Sequence, residues 1–274
     1  DGTKAVVGFD GYISTFDLTQ HKFLKSYPVT CRATDVIVAP SQIAYIFTDE
    51  QLYSPRSINT NDLLATEKIH SNVSIWGDKY FRFHPSGNYI YGIQSILKKY
   101  EIQQDSIKYI GDAPNWNEYT FGRNFWISEE GKYIFTGAKG VFKSSNDRVE
   151  DMIYLTSFND ESNANYFLWL DQSAQNNEIY AIVDFMPDNL NLYHPNITKI
   201  FAYNADSFAF KRFYELKKYR STDYLGNPVN YEANPRFVFC NQAGDKLFVF
   251  TKAFESELNY PWALQEIKIE KQLQ

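Results

Sequence analysis

The sequence predicts an all-β chain built from repeated four-stranded antiparallel units. Three observations carry that prediction. A turn followed by an alternating aromatic or β-branched strand recurs along the chain, and three successive copies in its middle lie about 45 residues apart. No stretch of 12 residues sustains a helical hydrophobic period.

The full copies of the motif are Asp1–Phe9, Pro85–Gly92, Glu130–Gly137 and Ala243–Phe250; degenerate copies are Pro40–Phe47 and Asn176–Val183. Gly87 and Gly131 are 44 residues apart, and Gly131 and Asn176 are 45 apart. That is the period of a four-stranded propeller blade. Inner strands are expected at Asp35–Ala39, Lys79–His84, Gly122–Ser128, Tyr166–Asp171 and Arg236–Asn241, each followed by the turn and the second strand. Third strands follow at Gly11–Leu18, Ile96–Gln103, Lys199–Asn204 and Leu264–Glu270. Outer strands are expected at Phe23–Val29, Leu64–His70, Ile107–Gly111, Met152–Phe158 and Phe210–Leu216. The tally is six second strands against five inner and five outer ones. The expectation is therefore one β-propeller domain over residues 1–274, of six blades, with a seventh as the alternative. About 15 upstream residues would supply the missing inner and outer strands and close the ring.

The segment His84-Pro85-Ser86-Gly87-Asn88-Tyr89-Ile90-Tyr91 resembles the Ser-Pro-Asp-Gly-Lys-Tyr-Val-Tyr-Val-Ala pattern of YVTN/YncE-like and WD40-like β-propellers. As a repeat pattern the resemblance covers nearly the whole chain. Two of the six copies lack the glycine, and the Trp-Asp dipeptide of WD40 repeats is absent. The resemblance implies a fold and no particular activity.

Composition narrows the function. The chain has 274 residues, 44% hydrophobic and 18% aromatic, which excludes intrinsic disorder. A net charge of −6 argues against a general nucleic-acid binder or a binder of anionic membranes. No run approaches the length of a membrane-spanning helix. Two cysteines, Cys31 and Cys240, are too few for a disulfide scaffold or a four-cysteine zinc site. They read as two half-buried thiols, with a bridge between the first and last units as the alternative. The opening Asp1-Gly2-Thr3-Lys4 reads as the middle of a turn, which suggests that an upstream leader, anchor or domain has been removed. An extracellular, periplasmic or cell-surface location is the corresponding expectation. Sequons at Asn72-Val73-Ser74 and Asn196-Ile197-Thr198 are short enough to arise by chance.

The long connections cluster on one face of the expected propeller: Ser71–Asp78, Asp112–Thr120, Asn159–Asn165, Met186–Asn196, Lys217–Pro235 and Phe254–Pro261. Long loops in compact domains tend to carry function. These are rich in aromatic and amide side chains, the residue types of recognition surfaces. The candidate ligand-binding residues are Trp76, Trp116, Tyr119, Tyr193, His194, Tyr224, Tyr231 and Trp262. The competing reading is that such loops plug the centre or cover the rim. Trp126 and Trp169, on inner strands, read as core.

Catalytic signatures are missing: there is no Gly-x-Ser-x-Gly elbow, phosphate-binding loop, dinucleotide fingerprint or His-Glu-x-x-His. His84 in the repeat turn reads as structural. Asp160 and Glu161, and Asp184 with Asp188, offer oxygens for a hard cation, but without a calcium-loop pattern they read as solvated charge. The basic run Lys211-Arg212 and Lys217-Lys218-Tyr219-Arg220 reads as a solvated strand edge, or else as a contact for an anionic ligand or glycan. The expected function is a non-catalytic recognition module whose aromatic loop face binds a protein or a glycan. No cofactor, metal, nucleic acid or membrane insertion is implied. A lactonase-like or lyase-like propeller enzyme would need polar groups in the funnel, and the inner strands offer only Asp35, Lys79, Arg123 and Arg236, with His84 and Asp171 at far ends. A structural spacer is the third reading.

Overall fold

The computed structural model describes residues 3–48, 54–62, 64–71, 73, 75, 80–103, 106–122, 124–159, 166–184, 198–222, 225–253 and 261–269. Every regular element among them is a strand, apart from one three-residue 3-10 turn. The chain divides into two compact units, one of residues 1–131 with 144–153 and the other of 132–143 with 154–274.

The first unit opens with β1 (Lys4–Asp17) and β2 (Lys22–Arg32), which pair antiparallel. β1 is folded on itself. Fourteen extended residues would hold its ends about 45 Å apart. Instead the Leu18 N–H donates to the Thr3 carbonyl at 2.9 Å, and Phe9 stacks on Tyr12 with ring centroids 4.7 Å apart. The reversal falls at Asp10–Gly11, where Gly11 takes φ +78°, as an Asp-Gly hairpin turn requires. The second and third strands expected for the first repeat are therefore the two arms of β1.

Two four-stranded sheets follow. One is β3 (Asp35–Val38), β4 (Ile43–Phe47), β5 (Arg56–Asn59) and β6 (Lys68–Ile69). The other is β7 (Tyr80–Phe83), β8 (Tyr89–Ile93), β9 (Leu97–Gln103) and β10 (Ser106–Asp112). β11 (Phe125–Ile127) completes the strands of the first unit. In the second unit β12 (Tyr133–Thr136), β13 (Gly140–Lys143) and β14 (Tyr154–Ser157) are antiparallel. A four-stranded sheet of β15 (Tyr166–Ser173), β16 (Glu178–Asp184), β17 (Lys199–Asn204) and β18 (Phe210–Glu215) comes next. A hairpin of β19 (Tyr219–Thr222) and β20 (Pro228–Tyr231) precedes a three-stranded sheet of β21 (Ala233–Cys240), β22 (Lys246–Ala253) and β23 (Trp262–Lys268).

Period-2 alternation sends one set of side chains from each strand between neighbouring sheets. Ile13, Tyr27 and Val29 pack with Ala44, Ile46 and Ile58. Tyr45 and Phe47 pack with Phe81, Ile90 and Tyr100, and Phe47 lies flat on Phe81 at 3.6 Å between centroids. In the second unit Tyr180, Ile182, Ile200 and Ala202 pack with Val238, Leu247 and Val249.

The repeated turn has one geometry in five places. The N–H groups of Gln42, Gly87, Gly131, Asn177 and Gly244 donate to the carbonyls of Ala39, His84, Ser128, Ala174 and Asn241, at 2.9, 2.8, 2.8, 3.2 and 2.9 Å. Those five donors take φ of +65°, +76°, +74°, +52° and +67°. Left-handed backbone favours glycine, which explains the three glycines; Asn177 is the next best choice and Gln42 the least favoured. The two copies that lack glycine thus keep the turn.

Within each unit one turn also meets the next. Within the first unit His84 Nε2 lies 2.8 Å from the Gly131 carbonyl, and a Cβ on Gly87 would come within 3.3 Å of Pro40 Cγ. Within the second, Asn176 Nδ2 donates to the Gly244 carbonyl at 2.5 Å. Carboxylates do the same between inner strands. Asp35 Oδ2 accepts the Phe81 N–H at 2.7 Å and Asp171 Oδ2 the Cys240 N–H at 2.6 Å. Burial pushes the Asp35 carboxyl up from its ordinary range, against the pull of the Phe81 N–H and of Arg82.

The segment Ser145–Asp151 is anchored by a buried ion pair. Lys99 Nζ donates to Asp151 Oδ2 at 2.8 Å and to the Ser145 carbonyl at 2.7 Å, and the Tyr91 hydroxyl donates to Asp151 Oδ1 at 3.0 Å. Both charged side chains are 4% exposed. The ammonium also sits 4.0 Å from the centroid of the Tyr89 ring. Burial, with the Asp151 charge beside it, raises the Tyr91 phenol well above its usual range.

Some expectations change. The outer strand expected at Leu64–His70 is only the two residues of β6. The loop expected at Lys217–Pro235 is mostly the β19–β20 hairpin, because Tyr219, Val229 and Tyr231 alternate and Gly226 takes φ +84° at its tip. Neither cysteine is in a disulfide: Cys31 is buried in the first core and Cys240 is half-buried beside Tyr180 and Val238. The bridge between the chain ends is therefore overturned.

Candidate interaction surface

Four of the eight expected site residues, Trp76, Tyr193, His194 and Tyr224, lie outside the described residues, as do Lys79, Arg123, Asp160, Glu161 and Asp188. In the first unit Trp116 opens the 3-10 turn Trp116–Glu118, entered through Asn115 at φ +54°, and is 47% exposed; Tyr119, just after it, is half-buried. In the second unit Tyr231 ends β20, opposite Tyr219, and is half-buried. Trp262 is the first residue of β23, a strand position where a loop flank was expected.

Trp262 belongs to a larger apolar surface. Register places Phe237 opposite Phe250, Phe250 opposite Leu264, and Lys252 opposite Trp262, so these side chains share one face of the β21–β22–β23 sheet. The opposite face carries Val238, Leu247 and Val249, all buried. On the open face Phe237 is 39% exposed, Phe239 45%, Trp262 47% and Leu264 62%. The rings form a continuous row. Phe250 stacks on Trp262 at 5.2 Å and 14°, Phe237 lies 6.3 Å from Phe250, and Trp169 of β15 meets Phe237 edge-on at 4.8 Å. Lys252 Nζ stands 5.3 Å from the Trp262 ring centroid, and Lys246 pairs with Glu266 at 2.9 Å.

β23 is paired on one side, to β22, and has no strand on its other side among the described residues. A flat apolar face beside an open strand edge is suited to another β-structured surface. Sequence reasoning found Trp262 and missed Phe237, Phe239 and Leu264. Phe-Val-Phe on an inner strand reads as core, and only the register across three strands separates the covered Val238 from its exposed neighbours.

Other groups with chemical potential are committed to the fold. Glu178, 3% exposed at its side chain, holds Lys211 at 2.5 Å and Arg212 at 2.9 Å, and accepts the Tyr180 hydroxyl at 2.9 Å. Lys218 pairs with Glu232, and the Tyr219 hydroxyl bonds Thr251. The basic run is thus partly a set of counter-ions rather than a solvated edge. Asp35, Asp171 and His84 are engaged by backbone, as described. Trp126 is buried, whereas Trp169 is half-buried against the aromatic row.

No family model matches the sequence, and no curated protein matches it. Solved structures do. The chain is similar to the β-propeller domain of Cps50 (Swd1) from Myceliophteria thermophila, with a TM-score of 0.60 and 10% identity over 93% of this chain and 77% of that one. The fold is that of a β-propeller. A functionally unknown protein from Desulfotomaculum acetoxidans gives a TM-score of 0.60 and 12% identity, over 97% of this chain and 79% of that one. Kluyveromyces lactis Hsv2 gives 0.59 and 9%, over 91% and 67%. At such identities the likeness carries the propeller fold, of the WD40 type, and no activity.

Proposed function

We propose that this chain is a non-catalytic interaction module that binds a protein partner through the aromatic face of β21–β23. The carrying observation is the row Phe239, Phe237, Phe250, Trp262 with Leu264 beside it, in which Phe237, Phe239, Trp262 and Leu264 are exposed on an otherwise ordered sheet and Phe250 is half-buried between them. Covering the exposed parts of such side chains is worth roughly 1 kcal/mol or more each. Contiguous apolar surface of this kind marks interaction sites. A protein partner suits it better than a glycan, because Phe237, Phe239 and Leu264 offer no polar atom to replace the water that sugar hydroxyls lose. The partner is read as laying apolar side chains on the row, and the open edge of β23 is left as the place of the outer strand expected from upstream residues. Six blade-like sheets, counting the three strands of β1 and β2 as one, is the count carried with this reading.

The test is a photo-crosslinking amino acid at position 264, followed by reconstitution of the captured protein with the purified chain. Phe237→Ser with Trp262→Ala should weaken the reconstituted complex by about a hundred-fold at a temperature where the double variant is still folded by circular dichroism. An unaffected complex would remove the site from this face. Saturable binding to a glycan array, lost in the same double variant, would replace the protein with a carbohydrate.

A further inference from the structure

In the first unit a cleft of about 420 Å³ opens between the first arm of β1, the β3–β4 turn and the β7–β8 turn. That volume is within the range of small-molecule sites. Its walls are mixed: Val6, Val38, Pro40 and Phe83 give an apolar stretch beside the polar Lys4, Gln42, Thr60 and His84. Lys4 stands at the cleft and has no acidic partner among the described residues. The carboxylate opposite it in the β1 hairpin, Asp17, accepts the N–H groups of Thr19 and Gln20, both at 2.8 Å.

The remaining polar groups are mostly engaged. The Thr60 hydroxyl donates to the Gln42 carbonyl at 2.7 Å, and the two nitrogens of His84 bond the Gly131 carbonyl and Ser86. What the cleft offers a ligand is one ammonium, the side-chain amide of Gln42 and the apolar stretch of Val38, Pro40 and Phe83. One unpaired cation calls for one negative charge, and the apolar stretch calls for a hydrocarbon or aryl body. A phosphate would ask for more donors than a single lysine and an amide supply.

We propose that this cleft is a binding site for a small amphipathic monocarboxylate, its carboxylate on Lys4 and its apolar body against Val38 and Phe83. The site lies on different elements from the aromatic face and stands independently of the protein-binding reading.

The probe is octanoate, titrated below its micellar range into the purified chain by calorimetry, with ligand-observed NMR in parallel. The expected result is saturable one-to-one binding that Lys4→Gln weakens about ten-fold and Lys4→Arg retains. Val38→Trp, which fills the cleft from an exposed position, should abolish it without lowering the unfolding temperature. Octanamide should bind about ten-fold more weakly than octanoate. Absence of saturable octanoate binding overturns the proposal. So does equal binding of octanamide, or binding that survives Val38→Trp.

Discussion

His84 donates from Nε2 to the carbonyl of Gly131, 2.8 Å away, while its Nδ1 accepts the N–H of Ser86 at 3.1 Å. One imidazole in its neutral form therefore closes its own turn and fastens the next. His84→Ala should cost about 1–2 kcal/mol, the penalty for leaving the carbonyl of the buried Gly131 without its donor. Gly131→Ala should cost more. Its φ is +74°, and the added methyl would meet His84 Nε2 at 2.5 Å. Urea unfolding of both variants checks the order; an alanine at 131 that leaves the midpoint unmoved would refute the fastening.

Gln42 occupies a left-handed position that glycine fills in three sister turns. Gln42→Gly should stabilise the chain by about 0.5–1 kcal/mol, since relief of the strained backbone outweighs the extra entropy of an unfolded glycine. Asn177→Gly should gain less, because asparagine tolerates that region. Melting temperatures of the two variants, measured side by side, decide it.

The Lys99–Asp151 pair is buried on both sides. Asp151→Asn should destabilise by roughly 3–5 kcal/mol, because it leaves an ammonium in an apolar setting. Lys99→Met combined with Asp151→Leu should recover much of that loss, since two apolar side chains need no partner. A double variant as unstable as the single one would mean that the bonds to Tyr91 and Ser145 matter more than the charges.

Asp35 gives a pH signature. Its folded carboxyl titrates above the ordinary value of 3.8, chiefly through burial. Above that value the folded state holds the proton longer than the unfolded one, so stability falls as pH rises through the window up to the raised pKa. Asp35→Asn should flatten the curve in that window and leave it unchanged well above. Chemical denaturation from about pH 4 to pH 7 measures it; parallel curves for the two proteins would refute the assignment.

The strand order and the turns were legible in the sequence because both rest on local rules. Asp10–Gly11 is a hairpin turn by composition, and Gly87, Gly131 and Gly244 mark positions where a side chain is unfavourable. The surface was less legible. Phe237 and Val238 are adjacent apolar residues of one strand, yet only Val238 is covered, because covering depends on which sheet stands opposite. The expected loop Lys217–Pro235 hid a hairpin, since its alternation is only four residues long in each arm. Lys211 and Arg212 read as free charge because their partner, Glu178, lies two strands away in the sheet.

The open edge of β23 has a further consequence. Two copies of the chain could align there, and the face beside it is greasy enough to hold them. Lys252 and Lys268 stand at the two ends of that surface, and Lys246 is already paired with Glu266, so an incoming strand must pass charged side chains. Charge along such an edge opposes strand-to-strand pairing, and ionic strength sets how strongly: at molar salt the screening length shrinks to about 3 Å. Colloidal behaviour, and not only folding, is therefore written into the lysine spacing of the last strands.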